Sequence, residues 1–402
     1  MRITYKSLLL LGLVVLLIVM TGCEYDGPTA QWKMVQEETD SPQITEIVPA
    51  SEAVAGVNYI TINGENFTDN RENVQVYING YNAEIVDFSS SSIKIRRPNR
   101  VGDSLSVKVD VYGAVNLGIY EQPYKISSVC ETYGDFLSGT ALGSLAIDTD
   151  ENLYVVENTT TREIYKISPS GEKTLLGNAD RAMNDGTLDN NGKLYLFANR
   201  KDIYVVETDT VGIYATVEKN VTTGAFDANG TLFTSGKKAG INIVAADLTT
   251  TQNKIYVNDE VFCLRIKNNT LYVLVQFKSP DEAHPEFSLW RHTILDAQGN
   301  LGDGELVFDW ALAGGDYAES IPSSFTIDSK GGVYIASDNP SPILYYNPTS
   351  GTKDAVYKDI LPSPAQKVLW GNGNYLYLVY SGGSSDNNLY RVDMGIPENR
   401  DY

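Results

Sequence analysis

The sequence predicts an all-β chain, a small β-sandwich followed by a six-bladed β-propeller. Three observations carry this. Short alternating apolar runs, separated by Asn, Gly and Ser turns, fill residues 42 to 111. A strand–turn–strand unit then recurs at a period of about forty residues, the length of a four-stranded blade. The 26 Tyr and 11 Phe are side chains that fit a pleated, half-buried surface.

Residues 1–22 come first. Arg2 and Lys6 precede an almost unbroken apolar run from Leu8 to Met20. The run is short for a membrane span and ends in small residues, the layout of a cleaved export signal. Met20-Thr21-Gly22-Cys23 resembles the lipobox of bacterial lipoproteins, with Met where Leu is usual. The resemblance implies a lipoprotein signal peptide and lipidation at Cys23, which becomes the new N-terminus. Residues 23–41 read as an acidic tether, polar and without apolar periodicity. Glu24 and Asp26 resemble the acidic export tags of surface lipoproteins of Bacteroidota.

Charge narrows the partners. Lys and Arg number 31 against 51 Asp and Glu, a net charge of −20. Arg2 and Lys6 leave with the signal, so the mature chain carries −22. Such a surface repels phosphate backbones and excludes nucleic acid. No other segment is apolar for long enough to cross a membrane. With Cys23 assigned to lipid, Cys130 and Cys263 remain. The repeat places them in different blades, so free thiols are expected rather than a disulfide.

Residues 42–125 form the sandwich. Its strands are read at Tyr59-Ile60-Thr61-Ile62, Val74-Gln75-Val76-Tyr77-Ile78, Ile93-Lys94-Ile95 and Leu105 to Val111. Ile47-Val48-Pro49, Ile62-Asn63-Gly64-Glu65-Asn66-Phe67 and Val76-Tyr77-Ile78-Asn79-Gly80 resemble the IPT/TIG domain, an immunoglobulin-like module. The resemblance implies a spacer or stalk with no ligand of its own.

Residues 126–395 form the propeller. Tyr154, Tyr195, Phe233, Tyr272, Tyr334 and Tyr377 each open the second strand of a unit, so six units give six blades. The last unit is one strand short. Ile126 to Tyr133 precedes the first repeat and supplies it, closing the ring and removing its open edge. This part resembles NHL-type propellers. Residues 396–402 are a C-terminal tail. The order of signal, tether, IPT/TIG domain and propeller looks like a family of Bacteroidota surface lipoproteins associated with glycan uptake. That resemblance implies an outer-membrane, lipid-anchored, cell-surface protein, with a polysaccharide or oligosaccharide and an outer-membrane uptake complex as partners.

Chemistry is sparse. Asp148, Asp189, Asp227 and Asp328 each lie six residues before a strand aromatic, where Asp bonds its own backbone in a turn. Two histidines, His284 and His292, leave little for a Ser-His-Asp arrangement, and no nucleophile elbow or metalloprotease motif occurs. No catalytic residue and no cofactor is indicated. Glu157, Asn158 and Asp338 at strand ends are the oxygen donors a divalent cation could use, too few acids to indicate a hydrolytic site. Blade four is the irregular one. The gap between Tyr272 and Tyr334 holds two insertions, residues 276–287 and 310–321, and insertions on a rigid scaffold are where binding concentrates. Aromatics beside amides and carboxylates suit sugars, whose C–H faces stack on rings while polar groups take the hydroxyls. The candidates are Phe277, His284, Phe287 and Tyr317, with Arg162, Asn199, Arg200, Asp338 and Asn339 around the rim. Trp290 and Trp310, in strand-like runs, are expected to pack their own blade. Glycan binding is the leading function. A cation-dependent hydrolase or lyase and a non-catalytic scaffold are the alternatives.

Overall fold

A computed structural model describes residues 39–137, 139–208, 210–380 and 388–395. The signal, most of the tether including Cys23, and the tail at 396–402 lie outside the described residues. No helix among the described residues is long and apolar enough to cross a membrane.

Period-two alternation builds the sandwich. In Tyr59–Glu65 and Val74–Ile78 every second side chain is buried, which turns Ile60, Ile62, Val76 and Ile78 inward. One sheet orders Gln43–Val48, Tyr59–Glu65, Ser92–Arg96 and Ile85–Phe88; a second orders Gly118–Ile119, Val107–Val111, Val74–Ile78 and Tyr81–Asn82; a third, of three strands, orders Glu52–Ala53, Tyr124–Ile126 and Gly102–Leu105. Their inner faces share one core, as aligned sheets do. Gly64 permits a close approach there. A Cβ on it would stand 2.0 Å from the Gln43 carbonyl oxygen and 2.5 Å from the Phe67 ring.

Six four-stranded antiparallel sheets follow. Blade one is Leu142–Ile147, Leu153–Glu157, Glu163–Ile167 and Lys173–Asn178. Blade four is Glu260–Lys267, Thr270–Gln276, Phe287–Ile294 and Leu301–Asp309. The first strand of each blade touches the first strand of the next, and that of blade six touches that of blade one. These inner strands therefore ring the axis. Closure is as expected: Cys130–Thr132 pairs antiparallel with Leu389–Asp393 and completes blade six. Cys130 and Cys263 are free thiols in different blades.

The repeated aspartates close the first turn of their blades. The Oδ1 of Asp148 accepts from the N–H of Asp150 and Asn152, Asp189 from Asn191 and Lys193, Asp227 from Asn229 and Thr231, and Asp328 from Lys330 and Gly332. Burial raises the pKa of Asp148, but the bonds from Asn152 and Tyr154 outweigh it and hold the carboxyl below its ordinary value. These carboxylates are structural.

The sandwich docks directly on blades five and six. The Gly56 N–H donates to Tyr357 Oη at 2.7 Å, and Arg96 Nη1 lies 3.1 Å from Asp354 Oδ1. Tyr59 Oη also donates to Asp354, and Lys358 meets Glu84 at 2.8 Å. Arg97 is buried, its guanidinium donating to the carbonyls of Val54, Val57 and Ser127. The picture of a simple spacer left this contact out. Asp354 sits in an ordinary outer strand, and nothing local marks it as an interdomain partner.

Candidate functional site

The candidate residues divide by sheet face. Alternation along Phe287–Ile294 sends Phe287 and Leu289 toward blade five and Ser288 and Trp290 toward blade three. On the blade-three side, Phe277, His284 and Trp290 come together. The Phe277 and His284 ring centroids are 5.0 Å apart. His284 and Trp290 stack at 5.8 Å with 21° between planes, and Phe277 meets Trp290 edge-on at 5.9 Å. Tyr256 backs this group, 5.8 Å from Phe277. The His284 side chain is half exposed, so the group opens to solvent.

One carboxylate is bonded to it, and further polar pairs lie at the neighbouring strand ends. His284 Nδ1 lies 3.0 Å from Asp281 Oδ1. That bond, with the N–H bonds of His284 and Ala283, lowers the Asp281 pKa. Gln276 Nε2 donates to Glu286 Oε1 at 2.9 Å. Lys278 Nζ meets Glu260 at 3.0 Å, and Lys237 approaches the same carboxylate at 3.8 Å. Beneath lies a second histidine. Tyr256 Oη and His292 Nε2 are 2.8 Å apart, and His292 Nδ1 is 3.0 Å from the Gly302 carbonyl. Burial lowers the His292 pKa, so the neutral ring donates to Gly302 and accepts from Tyr256.

The other candidates lie apart. Phe287 packs on Phe262 at 6.2 Å, on the blade-five side. Tyr317 is half-buried, edge-on to Trp310 at 6.0 Å, and its hydroxyl donates to the Ser341 and Ile343 carbonyls. Arg162 Nη1 donates to the Asp180 carbonyl at 3.1 Å. Asn199 and Arg200 are exposed in blade two. Asp338 accepts from the Ile321 N–H at 2.7 Å, and the buried Asn339 accepts from the Ser341 N–H at 2.9 Å. Trp310 is 2 % exposed and packs its own blade, as expected. Trp290 does more than pack: it forms part of the open aromatic group. Sequence reasoning missed it because a partly buried strand tryptophan has the same pattern as a core one.

Glu157 and Asn158 belong to blade one and Asp338 to blade five. Asn158 is engaged at both ends, donating to the Met183 carbonyl and accepting from its N–H. Among the described residues no group of three His, Cys, Asp or Glu side chains is arranged to hold a metal. The axis holds other chemistry. Asp185 in blade two is 2 % exposed. Its Oδ1 lies 3.2 Å from Lys367 Nζ of blade six, and its Oδ2 lies 3.7 Å from Arg265 of blade four. Thr223 donates to the same Oδ2 at 2.8 Å. Two side-chain cations thus already face this carboxylate, and like-charge repulsion disfavours a divalent ion beside it.

A cavity of about 250 Å³ lies elsewhere, at the junction of the two domains, lined by the 97–101 loop, Ile126 to Cys130, Ile360, Pro362 and Tyr390. It touches none of the candidates, and the buried Arg97 guanidinium in its wall is already held by three carbonyls. Open aromatic surface, rather than an enclosed cavity, distinguishes blade four.

Comparison with known proteins places these observations. The IPT/TIG domain family model matches residues 42–126. No curated protein matches the chain. An auxiliary nutrient binding protein from Bacteroides ovatus aligns with a TM-score of 0.50 at 13% identity, over 88% of this chain and 98% of its own. A structural-genomics protein of unknown function from Bacteroides thetaiotaomicron gives 0.50 at 11%, over 88% and 98%. A luciferin-regenerating enzyme gives 0.51 at 16%, over 68% of this chain and 97% of its own. At these identities the likeness is one of fold. The chain is an immunoglobulin-like IPT/TIG domain joined to a six-bladed β-propeller.

Proposed function

We propose that this protein is a lipid-anchored, surface-exposed glycan-binding protein of a bacterial polysaccharide uptake system, with blade four as its binding surface. The observation that carries the reading is the open group of Phe277, His284 and Trp290, with the Asp281 carboxylate bonded to His284. A sugar ring stacks on such faces through its C–H groups while carboxylate and amide groups take its hydroxyls. Reading Cys23 as the lipid attachment point puts this surface outside the cytoplasm. The name of the Bacteroides ovatus neighbour, an auxiliary nutrient binding protein, supports the reading by analogy of fold. The net charge of −20 favours neutral over polyanionic glycans.

Affinity electrophoresis through gels containing plant or host polysaccharides tests this. At least one neutral polysaccharide is expected to retard the protein, and Phe277→Ala is expected to restore its mobility. No retardation across a broad panel would contradict the reading and favour a scaffold. Degradation of a polysaccharide would favour an enzyme.

A further inference from the structure

The described chain enters the sandwich at Thr39. Its N–H donates to the Gly113 carbonyl at 3.2 Å, and it bridges Ala114 in parallel. The turn it meets is unusually apolar for a surface. Val115 is 70% exposed, Tyr112 58%, Ile119 50% and Leu117 42%. Scattered exposed apolar residues need no account, but four along one turn and its edge strand do. Ile119 lies in Gly118–Ile119, the outermost strand of its sheet, and no further strand among the described residues extends that sheet over it. Its cross-strand partner is Lys108.

Position identifies the occupant. Cys23 precedes Thr39 by 16 residues, a length that reaches at most about 55 Å even fully extended. A chain anchored by acyl groups at Cys23 therefore keeps this turn close to the bilayer at high effective concentration. The chemistry matches: aliphatic side chains enter the headgroup–acyl boundary and Tyr favours that interface. Lys108 can meet lipid phosphates, while Asp40 and Asp110 keep the contact shallow. We propose that the turn from Tyr112 to Ile119 is a membrane-contacting surface that seats the sandwich on the leaflet holding the anchor. The proposal rests on the lipid-anchored reading. Because the sandwich is bonded to blades five and six, seating it also sets the direction in which blade four faces.

The test does not depend on natural lipidation. The chain from Glu24, with an N-terminal hexahistidine tag, is held on vesicles of phosphatidylethanolamine, phosphatidylglycerol and a nickel-chelating lipid. An environment-sensitive fluorophore is placed on Val115→Cys at pH 7. Burial pushes the Cys130 thiol up to about 12 and Cys263 is buried, so neither competes for the label. Vesicle binding is expected to shift the emission to the blue and cut iodide quenching at least threefold, with no change at Thr349→Cys in the exposed turn of blade five. Equal quenching with and without vesicles would overturn the proposal. Shielding already present without vesicles would also overturn it, showing that protein chain covers the turn. Mass spectrometry of Cys23 in the native membrane protein tests the anchor separately.

Discussion

Asp185→Asn is the substitution that most directly probes how the propeller is held at its axis. The Asp185 carboxylate is shared by cations from two other blades, at 3.2 and 3.7 Å, and by the Thr223 hydroxyl at 2.8 Å. At an effective dielectric of about 20, each attraction is worth roughly 4–5 kcal/mol before desolvation. Removing the charge also removes the carboxylate's own desolvation cost of several kcal/mol, which offsets part of that loss. The amide keeps one acceptor oxygen for one cation and turns its NH2 toward the other, which cannot accept. Breaking a buried pair in this way costs about 3–5 kcal/mol. Urea unfolding followed by far-ultraviolet circular dichroism reads it as a lower ΔG at similar m. Lys367→Met in the Asp185→Asn background removes one of the two cations and is expected to recover part of the loss. A single-variant loss below about 1 kcal/mol would refute the reasoning, since an exposed pair behaves that way.

Three further outcomes are expected. A chain beginning at Ala141 lacks Cys130–Thr132 and should melt lower and less cooperatively than one beginning at Lys125; equal melting would contradict closure by that strand. Burial depresses His292, so the native state resists protonation where the unfolded chain, with an ordinary pKa near 6.5, accepts it. Stability should therefore fall as pH drops below about 6.5, and His292→Gln should flatten that fall in thermal melts between pH 7 and 5. Tyr317→Ala loses an edge-on contact with Trp310 and a hydroxyl bonded to two carbonyls, so it should lower stability by about 2 kcal/mol and leave glycan binding unchanged.

What the sequence made legible is what repeats or alternates locally. The six strand aromatics mark the blades, and in four of them the aspartates from Asp148 to Asp328 solve the same turn with the same bonds. The strand at Cys130–Thr132 was legible because an open ring demands one. The axial group was not. Asp185, Arg265 and Lys367 come from three blades, and no local period joins residues that meet only across the ring. The split of the blade-four candidates was hidden for a related reason. Phe277 and Phe287 flank one insertion, yet the pairing of Gln276 with Phe287 and the alternation beyond it send them to opposite faces. Trp290 and Tyr317 exchange expectations on the same grounds, the strand residue joining the open group and the loop residue packing inward.

The central claim is that Phe277, His284 and Trp290 form a sugar platform. Isothermal titration of wild type and Trp290→Ala with an oligosaccharide cut from the polysaccharide that retards the protein tests it most directly. Loss of one stacking face should weaken binding by about 1–2 kcal/mol, roughly 5- to 30-fold in Kd. Phe287→Ala, on the other face of the sheet, should leave Kd within about twofold of wild type. Unchanged affinity in Trp290→Ala, or an equal loss in Phe287→Ala, would contradict the account.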